Sequence, residues 1–378
     1  MPIIKNGLEV VAEYEASGAI NQSGLKEIML NGIQSFLANR LALQTTEKWF
    51  EDKDHFLIGK AADCKMSFDP TVYDTLYHTS ELTEKPSDTM MKVLHMTLDQ
   101  LKDHREIHPL QHPDYARLIH YQLDNVEVKD SKTNEWKTGF YMNRRKDDWR
   151  EDKRMDYVYV PECVTYWADI VRGRGKQVLT VKEKDLVNTI TSNWLTHPYT
   201  AHLFPDYPHI IRMYQVPVYF TVNGIACKGL IDKLDIDTQA YTITPYDFKT
   251  MKGYTLTFPS IVRKRRYDIQ GCFYGEGIYQ NIGLLSEKLG IDLRGFKIKN
   301  MHNIVESTTA PGLPLVYEMH DSLMYVGRRG DDKLSGFEQL IDEYAYWANH
   351  SFVIENALAV SSTPGLLTVD SQFNLVKP

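Results

Sequence analysis

The chain has 378 residues, which is enough for about two domains or for one large domain with insertions. With 25% charged and 43% hydrophobic residues, it has the composition of a globular protein, which excludes a disordered chain, a coiled coil and a collagen-like fibre. The formal net charge of −7 excludes a protein that coats nucleic acid through its overall charge. Any contact with nucleic acid must therefore come from a local basic groove.

The sequence favours a cytoplasmic location. No stretch reaches 18 consecutive apolar residues, so we expect no transmembrane helix and no membrane partner. Residues 1–7 lack the apolar segment of a secretory signal. The four cysteines form no Cys-x-x-Cys pair, which argues against a zinc ribbon, a redox motif and a disulfide scaffold.

The first hundred residues are predicted to be helical. Ser23 is a good N-cap for one amphipathic helix, and Pro70 ends another because the residue before a proline avoids the α region. The predicted helices span residues 26–40, 56–68 and 86–103. In the charged segment that follows, the basic run at 143–154 is either a solvated helix face or loop, or a surface that faces DNA.

From residue 212 onwards, β-branched residues alternate with others, as is typical of strands. Asn223-Gly224 favours a type I′ turn between two of these strands. The predicted antiparallel meander consists of strands 213–222, 225–237 and 240–250. The predictions for the rest of the chain are a long helix over 262–283, extended segments over 296–305 and 315–325, and a last helix over 336–349.

The third predicted strand carries an Asp-x-Lys pair. Asp247 and Lys249 point to the same face because side chains alternate along a strand, and hairpin pairing would bring Asp232 beside Asp247 on that face. Carboxylates are hard ligands that suit Mg²⁺ or Mn²⁺, and such an ion lowers the pKa of a water molecule and offsets charge on a phosphate oxygen. Taken alone, however, an Asp-x-Lys pair often occurs by chance as a surface ion pair.

The helix predicted after this strand adds a third motif. Gln270 and Tyr274 are four residues apart and therefore share one helical face. The order Gly-x-x-Asp, Asp-x-Lys and Gln-x-x-x-Tyr resembles that of the PD-(D/E)XK nucleases. Within this superfamily, the chain is similar to the exodeoxyribonuclease VIII (RecE-like) and bacteriophage exonuclease group. The similarity covers about residues 20–80 and 210–285, and includes Ile20 to Leu25, Phe56 to Asp63, Phe68 to Tyr73 and Ala226 to Asp232.

The resemblance implies an α/β fold with a restriction-endonuclease-like core, in which a mixed central sheet contains the antiparallel meander and is flanked by helices. It implies one nuclease domain over residues 1–378, with the core at about 20–103 and 205–350 and a charged insertion at about 104–204. The implied activity is Mg²⁺-dependent hydrolysis of DNA phosphodiester bonds by an exonuclease that acts on double-stranded ends in phage or bacterial recombination or DNA processing. The implied partners are DNA, a single-strand annealing protein and further copies of the chain.

The resemblance also implies a set of metal ligands. Asp232 and Asp247 would bind Mg²⁺ or Mn²⁺ together with the main-chain carbonyl of Phe248. Asp63 would be a further ligand, although the family has histidine or glutamate at this position. Lys249 would position the attacking water and stabilise charge on the scissile phosphate.

Two further groups of residues are assigned to DNA or to the support of the site. Gln270 and Tyr274 would contact DNA or brace the catalytic lysine, and the alternative is that they only pack an amphipathic helix. Lys264, Arg265 and Arg266 are predicted to begin the long helix, where cations oppose the helix dipole. A phosphate partner would explain this basic cluster, and a solvated basic turn is the alternative.

Departures from the family pattern occur at two more positions. Gln215 stands where the family tends to carry glutamate, and Leu230 stands where an arginine usually precedes the first aspartate. Neither change removes Asp232, Asp247 or Lys249.

Two other functions fit parts of the sequence. An iron–sulfur nuclease similar to Cas4 or AddB needs cysteines clustered near the C-terminus, whereas the last cysteine here is Cys272. A non-catalytic DNA-binding or assembly protein with a nuclease fold remains the second alternative. The intact Asp-Asp-Lys set argues against it, and Mg²⁺-dependent loss of DNA would distinguish it from the enzyme.

Overall fold

The structure is a computed structural model that describes residues 3–30, 32, 54–101, 113–129, 136–138, 160–173, 175–348, 368–369 and 375–376. It divides the chain into two compact units, one formed by Met1–Lys48 and Asn193–Pro378 and the other by Trp49–Ser192. Residues 49–103, which the sequence places in the nuclease core, therefore belong to the second unit. A single nuclease domain over the whole chain stays a prediction.

The described helices alternate irregularly with short and long strands. The helices are α1 (Leu8–Ala16), α2 (residues 22–30), α3 (Asp54–Ser67), α4 (Pro70–Leu76), α5 (Asp88–Gln100), α6 (Pro113–Asn125), α7 (Pro161–Arg172), α8 (Val181–Thr196), α9 (Phe258–Arg265), α10 (Tyr267–Leu289), α11 (Asp321–Arg329) and α12 (Phe337–Ala348). The strands are β1 (Ile3–Lys5), β2 (Tyr77–Thr79), β3 (Glu127–Lys129), β4 (Trp136–Thr138), β5 (Gln177–Leu179), β6 (Ile210–Val222), β7 (Ile225–Asp237), β8 (Thr242–Met251), β9 (Lys297–Ile298), β10 (His302–Ser307), β11 (Leu315–Glu318), β12 (Thr368–Val369) and β13 (Leu375–Val376).

The first unit contains a mixed sheet of seven described strands in the order β1-β6-β7-β8-β10-β11, with β9 also paired to β8. The neighbours β6, β7 and β8 are antiparallel, as the sequence predicts, whereas β8 and β10 are parallel. Helices pack against this sheet, so the predicted α/β class with a mixed central sheet is confirmed.

The turn between β6 and β7 has the predicted conformation. Asn223 and Gly224 have φ angles of 50° and 80°, and a type I′ turn requires positive φ at both central residues. This turn sets the register of the two strands, which pair without interruption from Val222↔Ile225 to Val216↔Ile231.

The two faces of the sheet are covered by different elements of the first unit. On one face α10 approaches closely, and a Cβ atom built on Gly277 would lie 2.5 Å from Val218 Cγ2, so only glycine fits there. On the opposite face the rings of Trp194 and Phe204 stack on Phe248, at centroid distances of 5.0 Å and 6.3 Å.

Three predicted elements differ from the structure. The extended segment predicted over 296–305 is divided into β9 and β10. The helix predicted over 262–283 is broken into α9 and α10 at Arg266, which adopts the left-handed conformation with φ of 54°. The extended segment predicted over 315–325 ends with β11, and α11 follows because the side chain of His320 accepts a hydrogen bond from the Ser322 N–H at 3.2 Å. At Arg266 a backbone conformation, and at His320 a side-chain cap, overrides the hydrophobic pattern.

The second unit has its own apolar core. Residues of α5, α6 and α7 meet there, with Leu94, Leu123 and Trp167 almost fully buried. The strands β2 and β5 are parallel, and β3 and β4 are antiparallel. The basic run at 143–154 lies outside the described residues. Within the part of the chain that the structure describes, every helix is too short or too polar to span a bilayer.

Candidate active site

The two predicted carboxylates meet where β7 and β8 separate. The ladder between these strands runs from Asp237↔Thr242 to Lys233↔Tyr246, so the next residues, Asp232 and Asp247, lie opposite each other. Beyond this point Asp232 Oδ2 accepts a hydrogen bond from the Phe248 N–H at 2.8 Å. A side chain thus replaces a backbone carbonyl as the acceptor, and the backbone ladder between the two strands ends here.

Asp247 is held from two directions. Its side chain is 2% exposed, its Oδ1 accepts a hydrogen bond from Gln270 Nε2 at 2.6 Å, and its Oδ2 forms an ion pair with the Lys249 ammonium. Burial lowers the pKa of Lys249, but electrostatic interactions, above all with Asp247, outweigh burial and raise that pKa above its ordinary value. Lys249 is therefore an ammonium group, and Asp247 and Lys249 share the face that strand alternation predicts.

The Gln-x-x-x-Tyr motif braces Asp247 from α10. Gln270 Nε2 also lies 2.9 Å from Tyr274 Oη, which in turn donates a hydrogen bond to the Leu230 carbonyl at 2.6 Å. Burial, followed by the charges of Asp247 and Asp232, raises the pKa of Tyr274 well above its ordinary value. Both motif side chains are buried, so the geometry favours support of Asp247 over contact with DNA.

Gln215 lies on β6 opposite Asp232, between the pairs Tyr214↔Lys233 and Val216↔Ile231. It is buried and adopts a φ of 49°, which is uncommon for a residue other than glycine. The main-chain carbonyl of Gln215 accepts a hydrogen bond from the Asn6 side chain at 2.9 Å. The departure from the family glutamate thus lies at a position where the backbone is irregular.

Lys26 on α2 is a site residue that sequence reasoning missed. Its Nζ lies 5.1 Å from the centroid of the Tyr267 ring, and Lys249 Nζ lies 4.9 Å from the same centroid. Burial, followed by the charge of Lys249, lowers the pKa of Lys26 from 10.5 to about 7. No motif or spacing in the sequence indicates this residue, because more than two hundred positions separate it from the Asp-x-Lys strand.

The basic cluster is divided by the break between α9 and α10. Lys264 and Arg265 are exposed in the last turn of α9, where the helix dipole stabilises cations. Arg266 is instead 1% exposed and paired with Asp268, with Nε 3.0 Å from Oδ1. The predicted position of the cluster at a helix start is therefore wrong. The DNA contact of Arg266 stays a prediction, and the pair with Asp268 already engages its guanidinium.

The remaining predicted ligands stay predictions. Asp63 lies on α3 in the second unit, where its Oδ1 accepts a hydrogen bond from Ser67 Oγ at 2.7 Å. Among the described residues, no three His, Cys, Asp or Glu side chains gather closely enough to enclose a metal ion. The oxygen donors of Asp232 and Asp247 nevertheless fit Mg²⁺, because this ion is usually bound through one or two carboxylates and keeps several waters.

Comparisons with known proteins leave the family undetermined. No family model and no curated protein matches the chain. Among solved structures, a protein named "Putative exonuclease" from Eubacterium rectale is similar with a TM-score of 0.41 and 12% identity, over 94% of this chain and 88% of that chain. A protein from Vibrio cholerae is similar with a TM-score of 0.19 and 13% identity, over 70% of this chain and 57% of that one. TM-scores this low do not establish a common fold, so functional inference depends on the geometry of the site.

Proposed function

We propose that the chain is a metal-dependent nuclease that hydrolyses DNA phosphodiester bonds. The observation that carries this proposal is that Asp232, Asp247 and Lys249 lie together where β7 and β8 separate. An ammonium group there lies beside two carboxylates. Taken alone, an Asp-x-Lys pair fits a surface ion pair, but Asp247 is almost fully buried and braced from a helix. A charge pair of this kind is costly to bury and is a poor choice for stability alone.

The proposed cation is Mg²⁺ or Mn²⁺. Asp232 and Asp247 would hold it, and the Phe248 carbonyl is the further ligand that the resemblance implies within the first unit. When bound, such an ion lowers the pKa of a coordinated water and offsets charge on a phosphate oxygen.

The other residues of the site prepare it for a phosphate group. The Lys249 ammonium would stabilise negative charge on the scissile phosphate, as fixed charges in a preorganised site do. Lys26 places a second amino group at the Tyr267 ring, where an arriving phosphate would relieve its repulsion from Lys249. Gln270 holds Asp247 in one orientation through its hydrogen bond, so the carboxylate is already directed when substrate binds.

The finer features of the proposal come from the sequence resemblance. They are exonuclease action on double-stranded ends, a role in phage or bacterial recombination or DNA processing, a cytoplasmic location, and assembly with further copies of the chain or with a single-strand annealing protein. The non-catalytic DNA-binding or assembly protein remains the second candidate function, and the same experiment distinguishes the two.

The test is a comparison of end-labelled linear DNA with circular DNA, incubated with the purified protein in Mg²⁺ or in EDTA. We expect Mg²⁺-dependent loss of the linear substrate. Lys249→Ala should reduce turnover at least about a hundredfold, the scale of one lost electrostatic group, while DNA binding stays nearly normal. Asp247→Asn should also abolish cleavage, whereas the control Asp292→Asn changes an exposed carboxylate on the surface and should leave it intact.

DNA binding without Mg²⁺-dependent cleavage would favour the non-catalytic protein. Cleavage that persists in both Asp247→Asn and Lys249→Ala would show that the site has been assigned to the wrong residues.

A further inference from the structure

Asn303 on β10 has a buried carboxamide that is not hydrogen-bonded. Its side chain is fully buried, and neither Oδ1 nor Nδ2 has a hydrogen-bond partner among the described residues. Most buried polar groups in folded proteins are paired, because an unpaired one loses its bonds to water without replacement. An unpaired carboxamide inside a sheet therefore calls for a functional explanation.

The sheet register places Asn303 in the same row as the two carboxylates. Asn303 is the partner of Asp247 in the parallel pairing of β10 with β8, and Asp247 lies opposite Asp232 on β7. Partners in a parallel pair point to the same face, and neighbouring strands are about 4.8 Å apart. Three adjacent strands thus contribute oxygen-bearing side chains at one level of the sheet.

Residues next to Asn303 confirm which face it occupies. Two positions before it, Met301 packs against α10, since a Cβ atom built on Gly271 would lie 3.5 Å from the Met301 Cβ. His302, one position before it, lies on the opposite face, where its ring is 5.3 Å from that of Tyr246. Asn303 therefore shares the α10 face with Asp247.

Asp247 does not satisfy the carboxamide. The Asp247 Oδ1 accepts from Gln270 and the Oδ2 is paired with Lys249, and neither oxygen forms a hydrogen bond with the Asn303 carboxamide. The carboxamide oxygen of Asn303 is a hard donor like a carboxylate oxygen but carries no charge, so it adds a contact for a cation without further repulsion.

We propose that Asn303 belongs to the cation site and supplies its carboxamide oxygen to the hydrated divalent cation held by Asp232 and Asp247. This inference rests on the proposed function, since it requires that the two carboxylates bind a cation. It explains an unpaired polar group at a position where an apolar side chain of the same branching, such as leucine, would lose no hydrogen bond.

The test measures Mn²⁺ binding by titration calorimetry and the melting temperature without added metal. Asn303→Leu should weaken Mn²⁺ binding at least about tenfold, as is typical for residues that support a metal site. Its melting temperature in EDTA should fall by less than that of the control Asn281→Leu described below, because no hydrogen bond is lost. Asn303→Asp keeps an oxygen, so it should bind Mn²⁺ within a few-fold of the wild type but melt at a lower temperature in EDTA, where three carboxylates repel one another.

The matched control is Asn281→Leu on α10. Asn281 is also buried, but its Nδ2 donates hydrogen bonds to the carbonyls of Tyr219 and Gly277, each at 2.8 Å. Its replacement should lower the melting temperature and leave Mn²⁺ affinity unchanged. If Asn303→Leu does not fold, Asn303→Ala provides the same comparison of affinities.

Three outcomes overturn the inference. Mn²⁺ affinity unchanged in Asn303→Leu would exclude the carboxamide from the site while the proposed function stands, provided that Asp247→Asn abolishes binding. A fall in melting temperature like that of Asn281→Leu, with unchanged affinity, would make Asn303 a structural residue. No Mn²⁺ binding by the wild type would overturn the proposed cation site and this inference together.

Discussion

Replacement of Lys26 by methionine should stabilise the protein at neutral pH. Burial and the nearby Lys249 ammonium lower the pKa of Lys26 from 10.5 to about 7, which means that folding disfavours its charged form. Methionine has a similar length and can still pack on the Tyr267 ring, but it has no charge to desolvate.

The magnitude follows from the size of the pKa change. A change of one pKa unit corresponds to about 1.4 kcal/mol, so the fall from 10.5 to about 7 sets an upper limit of about 5 kcal/mol. Lys26 is only half-buried, and the substitution also removes its contact with the Tyr267 π-system. We therefore expect the variant to gain about 2 kcal/mol in the free energy of unfolding at pH 7.

This advantage should depend on pH with a definite sign. Below about pH 7 the folded and unfolded states both bind the proton, so the charged lysine is fully unfavourable. Between about pH 7 and pH 10 only the unfolded state keeps the proton, so the wild type gains stability relative to the variant as the pH rises. Near pH 10 the difference that arises from charge should vanish.

Urea denaturation of both proteins at about pH 7 and about pH 9 measures this effect. Lys288→Met, which removes an exposed ammonium from α10, is the matched control and should show no comparable change between the two pH values. Equal differences between wild type and Lys26→Met at both pH values would refute the reasoning, and so would a variant that is less stable than the wild type at pH 7.

Three more predictions concern the basic cluster and Asp63. Joint replacement of Lys264 and Arg265 by alanine should reduce the dependence of DNA binding on salt concentration, because fewer phosphates are neutralised. Filter-binding titrations at several salt concentrations measure this dependence. An unchanged slope would show that the two side chains are solvated and do not contact DNA. Arg266→Ala should instead lower stability by about 3 kcal/mol, since it leaves Asp268 buried and unpaired. If Asp63 is a ligand, Asp63→Ala should weaken Mn²⁺ affinity and reduce cleavage by orders of magnitude, whereas activity within a few-fold of wild type would make it an ordinary helix residue.

Local features of the sequence were enough to predict the meander and part of the site. The alternation of side chains along a strand depends only on neighbouring residues, so it correctly placed Asp247 and Lys249 on one face. The Asn223-Gly224 turn determines the hairpin register, and the helical period correctly brought Gln270 and Tyr274 together. These predictions held because each depends on backbone geometry over a few residues.

The tertiary structure decided what depends on distant parts of the chain. The break at Arg266 is stabilised by a buried pair with Asp268, and no periodicity in the sequence reveals that the guanidinium is enclosed. Lys26 reaches the site only because α2 packs near the start of α10. Asn303 joins the row of carboxylates through the parallel pairing of β10 with β8, a contact between distant segments that no local signal in the sequence reveals.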